Sequence, residues 1–149
     1  MDSIRVGSSV KRIAINDDET RVIEFNPGDV GFAERFYNLM RDLEKREAEY
    51  QERAELIDRD QAVDEHGVPM NVGERIAFIR EVCEYMYSGI DQLFGKGASQ
   101  TIFQGATSLD MIGEFFDGII PFIQAARSQK INKYAPPPQR KGPRPRVMR

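Results

Sequence analysis

The sequence predicts a mainly α-helical domain: a three-helix core, a small N-terminal β-hairpin and a disordered, basic, Pro-rich C-terminal tail. Three observations carry this. Apolar residues recur every three or four positions over three long stretches. Two short β-branched runs near the N-terminus flank a polar turn. The last fifteen residues hold five prolines and no Asp or Glu, a composition that neither packs a core nor forms a helix. Residues 1–134 are therefore read as a single helical domain with the hairpin in 1–26, and 135–149 as a flexible basic tail.

The hairpin strands are Val10–Ile15 and Arg21–Phe25, joined by turn-forming residues 16–20. Ile13 and Ile15 share one face of the first strand, and Ile23 and Phe25 one face of the second. A lone hairpin is marginal in water, so this face must pack on the helices. Asn26-Pro27-Gly28-Asp29 ends the strand, and Asp29 can cap the first helix. Phe32, Phe36, Leu39 and Leu43 then form one apolar stripe, which thins through Tyr50, Ala54 and Ile57. Between Arg41 and Asp60, thirteen of twenty residues are charged. Asp42/Arg46, Glu49/Arg53 and Glu55/Arg59 are spaced for ion pairs within the helix, each stabilising it by ~0.2–0.5 kcal/mol. This half of the helix either projects from the core or pairs with one partner helix.

Asn71 with Glu74 resembles a capping box. Val72, Ile76, Ile79, Cys83, Met86, Ile90 and Leu93 follow, the cleanest amphipathic pattern in the chain, and it stops at Gly95-Lys96-Gly97. Ser99–Phe103 suggests a short helical turn. Thr107 and Asp110 offer a second capping pair ahead of Leu109, Ile112, Phe116, Ile119, Ile123 and Ala126. Pro121 lies inside this last helix, where a kink near Gly118 is expected. The helices are placed at Val30–Ile57, Val72–Phe94 and Leu109–Asn132. Ile79, Cys83, Met86, Ile90, Ile112, Phe116 and Ile119 are expected to be buried together.

Length and composition bound the function. A chain of 149 residues suits one domain and can support a core without staples. Its net charge of −3 conceals eight Lys or Arg and no acid between Arg127 and Arg149, which leaves −11 on residues 1–126. No signal peptide or membrane span is legible, so a soluble, cytosolic protein is expected. With one cysteine and one histidine, neither a disulfide framework nor a Cys/His zinc site can be assembled. His66 sits in a turn and Cys83 on an apolar stripe, so neither is expected to be catalytic. Asp58, Asp60, Asp64 and Glu65 crowd one connection, but Ala62 and Val63 break the spacing of a calcium loop. Gly95-Lys96-Gly97 lacks the spacing of a phosphate loop. The expectation is a non-enzymatic binding protein with no cofactor and no metal. The basic tail lacks interleaved aromatics, so nucleic acid is a disfavoured partner. Phe115, Ile120 and Phe122 widen the apolar face of the last helix. Either that helix is core throughout, or these three residues are protein-binding contacts.

Residues Val82–Gly95 (VCEYMYSGIDQLFG), Gly97–Gly105 (GASQTIFQG) and Asp110–Ile123 (DMIGEFFDGIIPFI) resemble segments of the tail assembly chaperones of long-tailed bacteriophages and prophages of Gram-positive bacteria. The hairpin followed by Phe32–Tyr37 is also similar. The resemblance covers about half the chain, mainly 70–132, through packing and turn residues. It implies a protein that binds and solubilises the tape measure protein and helps recruit major tail protein. Such a chaperone works in the host cell cytoplasm and is not expected in the mature virion. The resemblance also implies that the tail is either a normal terminus or the region where a ribosomal frameshift appends a second domain. Homo-oligomers are compatible with this role. The rival expectations are a structural tail or connector component of the virion, and a small nucleic-acid-binding regulator using the basic tail.

Overall fold

A computed structural model describes residues 1–6 and 10–134. It is mainly helical with one small antiparallel hairpin, in the order β1 (Lys11–Ile15), β2 (Asp18–Phe25), α1 (Val30–Arg59), α2 (Val72–Phe94), α3 (Ala98–Phe103) and α4 (Leu109–Tyr134). The flexible tail expected over 135–149 lies outside the described residues.

The hairpin turn is tighter than the sequence suggests. Asn16 and Asp17 both take positive φ, +55° and +60°, so two residues reverse the chain. That is the geometry whose twist matches the strands, and Asn and Asp tolerate it. The register slips between Ala14 and Ile15, which leaves Ile15 opposite Asp18. Ile23 and Phe25 are buried, and Ile13 and Ile15 pack against the same core, as their alternation requires. Phe25 stacks on Phe32 at 5.3 Å between ring centres and meets Phe94 edge-on at 5.2 Å. These contacts fasten the hairpin to the first turn of α1 and the last turn of α2. Arg21 secures its other side, donating to the carbonyls of Thr101 and Ile102 at 3.0 and 2.6 Å. These are carbonyls of the last turn of α3, where a cation is favourable.

Asp29 caps α1 as expected, accepting from the Gly31 N–H at 3.2 Å. The helix buries Phe32, Ala33, Phe36 and Leu39, and after them only Ile57. Its charged half lies antiparallel against α2. Leu39 meets Gly89, Tyr50 meets Phe78, and Asn71 donates to the Ile57 carbonyl. A Cβ on Gly89 would stand 2.5 Å from Leu39 Cδ1, so glycine sets how closely the helices approach.

Two of the sequence expectations for the charged residues are corrected here. Arg46 and Arg53 form no close ion pair with Asp42 and Glu49, the residues four positions earlier on α1. Arg53 forms a two-pronged pair with Glu81 of α2 at 2.6 and 3.0 Å, and Arg46 lies 4.1 Å over the Tyr85 ring. An aromatic and a bidentate carboxylate on the facing helix hold a guanidinium better than a flexible exposed neighbour does. The expected capping box at Asn71 is also absent. Asn71 makes no cap bond; its oxygen accepts from Arg75 Nε at 2.7 Å. Arg75 continues to Asp58 at 2.9 Å and to the Ile57 carbonyl at 3.2 Å. The two residues tie the end of α1 to the start of α2.

At α4, Ser108 rather than Thr107 is the cap, its Oγ accepting from the Met111 N–H at 3.2 Å. The helix then runs as one element through Pro121.

The core is centred on α2, whose Cys83, Met86, Ile90 and Leu93 are buried. Ile112, Ile119 and Ile123 of α4 complete it. Two members of the expected core differ. Phe116 is only half-buried, and Ile79 is 39% exposed. Phe116 shares its turn with Phe115, and the two rings pack edge to face at 5.5 Å. Neither can occupy the centre of a stripe already filled by Ile112 and Ile119.

Candidate protein-binding surfaces

The apolar stripe of α2 is longer than the body that covers it. Val72, Ile76, Ile79, Cys83, Met86 and Ile90 lie on one side of the helix by their spacing. Ile90 and Cys83 are fully buried, whereas Ile79, Ile76 and Val72 are 39%, 57% and 41% exposed. Moving from the base of α2 toward its start, the same line of side chains passes from core to surface. Charged residues flank the open part: Arg80 is exposed and Arg75 is engaged with Asp58. Val68 and Met70 of the connecting loop are also exposed.

A second surface lies between β1 and α4. It is a groove of about 480 Å³, with Ile13, Ile15, Phe103, Met111, Phe115 and Phe122 among its walls. Glu114 is its charged wall residue. The contacts expected on α4 divide here. Phe115 lines the groove but is half-buried, edge-on to Phe94 at 5.6 Å and to Phe103 at 6.1 Å. Ile120 is half-buried against the core and is not part of the groove. Phe122 is 44% exposed and lines it. The breadth of α4 is thus largely spent on the aromatic cluster, and one of the three residues is openly available.

The remaining polar candidates serve the backbone. His66 is exposed beside Glu65, and its N–H donates to Asp64 Oδ1 at 2.8 Å. Asp64 also accepts from the Val68 N–H at 3.0 Å, and Asp60 from the Ala62 N–H at 3.1 Å. Among the described residues, no group of three His, Cys, Asp or Glu side chains could hold a metal. Burial pushes the Cys83 thiol up from its ordinary pKa, away from the thiolate that nucleophilic chemistry requires. Burial likewise raises the Tyr87 phenol. Its ring stacks on Phe103 at 4.7 Å and its hydroxyl donates to the Ala106 carbonyl, a bracing role for the loop into α4. Gly95, with φ of +110°, ends α2, and Gly97, with φ of +87°, precedes α3. No described helix is long and apolar enough to cross a membrane.

The α2 patch was hidden in the sequence because periodicity marks an apolar face but not how far a neighbour extends along it. Its one signal is length, since the stripe covers seven positions over more than five turns. No curated protein and no solved structure matches the chain. A family model does match, over residues 16–146, which takes in β2 and all four helices: the chain belongs to the family of unknown function DUF6673.

Proposed function

We propose that this protein is a tail assembly chaperone of a long-tailed bacteriophage or prophage. It acts without catalysis in the host cell, where it binds the tape measure protein, keeps it soluble and helps recruit major tail protein, and it is absent from the finished virion. The observation that carries this reading is the open end of the α2 stripe. Val72, Ile76 and Ile79 are spaced i, i+4 and i+7, the pattern by which one amphipathic helix receives another. A tape measure protein is long and helical and exposes apolar stripes before assembly. A client helix laid on this seam continues the packing that Cys83 and Ile90 make inside the body. The acidic charge of residues 1–126 favours solubility of the complex. The resemblance of residues 70–132 to such chaperones supports the same reading. On α4, Phe122 is the open member of the three contacts expected there, while Phe115 and Ile120 are partly buried against the core.

The test is co-expression with the genomic neighbour encoding the long helical chain. Wild type keeps that chain soluble and co-purifies with it. Ile76→Glu combined with Ile79→Glu, both at exposed positions, loses on the order of 2 kcal/mol of binding, about thirtyfold in affinity. If wild type neither co-purifies with the neighbour nor improves its solubility, the chaperone reading fails. If only Phe122→Asp disrupts binding, the client sits in the β1–α4 groove instead. Mass spectrometry of purified particles separates a chaperone from a structural tail component, which would be present in stoichiometric amounts.

A further inference from the structure

We infer that the β1–α4 groove is a receptor for a proline-rich basic segment, and that its occupant is the stretch 139–146 of the same chain. Phe103, Phe115 and Phe122 are among the residues lining the groove, and Phe122 is 44% exposed. Aromatic-lined grooves receive Pro-rich segments, because such a segment is already stiff and extended and loses little entropy on docking.

The groove also has an acidic edge. Glu114 lines it, and Asp110 and Asp117 stand four positions before and three after, on the same row of α4. All three are exposed, and none has an ion-pair partner among the described residues. From Leu109 to Ala125 the helix carries no Lys or Arg. The other acid-rich stretches differ. The charged half of α1 mixes both signs, and Asp60 and Asp64 accept from backbone N–H groups of their own connection.

The sequence holds a segment of the complementary chemistry. The stretch 135–149, outside the described residues, contains five prolines, five Lys or Arg and no acid. It follows directly on α4, which ends at Tyr134. The distances agree. At 1.5 Å per helical residue, Asp117, Glu114 and Asp110 lie about 26, 30 and 36 Å back from Tyr134. A Pro-rich chain turning back along α4 advances ~3.1 Å per residue, which brings Lys141, Arg144 and Arg146 to about 22, 31 and 37 Å. Each cation arrives level with one acid. By the same count Pro143 arrives at about 28 Å, level with Phe115. Attachment to the same chain makes the docking intramolecular, so modest contacts suffice. The inference does not rest on the identity of the client, whose seam is on α2.

Paramagnetic relaxation in the full chain tests it. Gln139→Cys carries a nitroxide, while the buried Cys83 stays unlabelled. The amides of Ile13 to Asn16, Phe103 and Glu114, remote from the label in sequence, should broaden, and should sharpen again at high salt. Changing Lys141, Arg144 and Arg146 together to Glu abolishes the broadening. Changing Asp110, Glu114 and Asp117 together to Lys, all at exposed positions, does the same, and combining the two sets restores it. Groove amides that stay sharp in the labelled chain overturn the inference. So does broadening centred elsewhere on the body, a tail variant that broadens like wild type, or a combined variant that does not recover. In a mixture of isotope-labelled chains without nitroxide and spin-labelled chains without isotope, the groove amides should stay sharp. Broadening there means that the segment docks on a neighbouring copy, and the same-chain assignment is wrong.

Discussion

Ile76 and Ile90 occupy the same face of α2, yet truncating them should have very different consequences. Ile90 is fully buried. Ile90→Ala removes its packing and leaves a cavity, which costs roughly 2–5 kcal/mol. Ile76 is 57% exposed, so less than half of its side-chain burial is at risk. Full burial of such a side chain is worth ~1.5–3 kcal/mol, which puts the loss at about 1 kcal/mol. Alanine recovers up to about 0.7 kcal/mol of that through helix propensity. Ile76→Ala should therefore be neutral within about 0.5 kcal/mol, while Ile90→Ala loses several times more. Urea unfolding at low protein concentration, read from the midpoint at constant m-value, measures both. A loss of 2 kcal/mol or more for Ile76→Ala would refute the reasoning, because it would mean that the seam is covered in the isolated molecule. If that loss grew with protein concentration, the cover would be a second copy on α2.

Three further predictions concern the body. Phe32→Ala, at a position 2% exposed, should cost about 3–5 kcal/mol, whereas the half-buried Phe116 should cost clearly less, about 2 kcal/mol, in the same urea assay. Equal losses at the two sites would contradict their unequal burial. Arg75→Ala removes a guanidinium that holds the Ile57 carbonyl and Asp58. It should cost about 1–2 kcal/mol and speed amide exchange in the 60–71 connection, with α4 unaffected. Cys83 is buried with its thiol pKa raised, so a thiol reagent should label it only at the rate of unfolding. The unfolded thiol ionises above about pH 8.5 while the folded one stays neutral, so stability should be fully present below that pH and decline as pH rises past it. Rapid labelling under native conditions, or a Cys83→Ala variant that keeps the alkaline decline undiminished, would count against this.

The sequence by itself determined the elements and most of their ends. Local chemistry suffices where one residue type has one physical role. Asp29 caps α1, Gly95 supplies the positive φ that stops α2, and the three- and four-residue spacings fix where α2 begins and ends. It also determined the hairpin and the buried side of each strand, since alternation leaves only one face apolar. It did not determine which polar groups pair. Arg53 could reach Glu49 on its own helix, but the facing helix offered Glu81 in two-pronged geometry. Asn71 and Glu74 fit a capping pattern, yet the nearby end of α1 gave Asn71 a different partner. Nor could spacing separate core from surface along one stripe. Ile79 and Ile90 repeat the same pattern, and only the packed arrangement of the hairpin, α3 and α4 buries the second and exposes the first. Phe115 shows the converse: a residue that spacing places beside the stripe is drawn inward by Phe94 and Phe103, which come from α2 and α3. Burial depends on the reach of neighbouring elements through space, and periodicity along one helix carries no information about that reach.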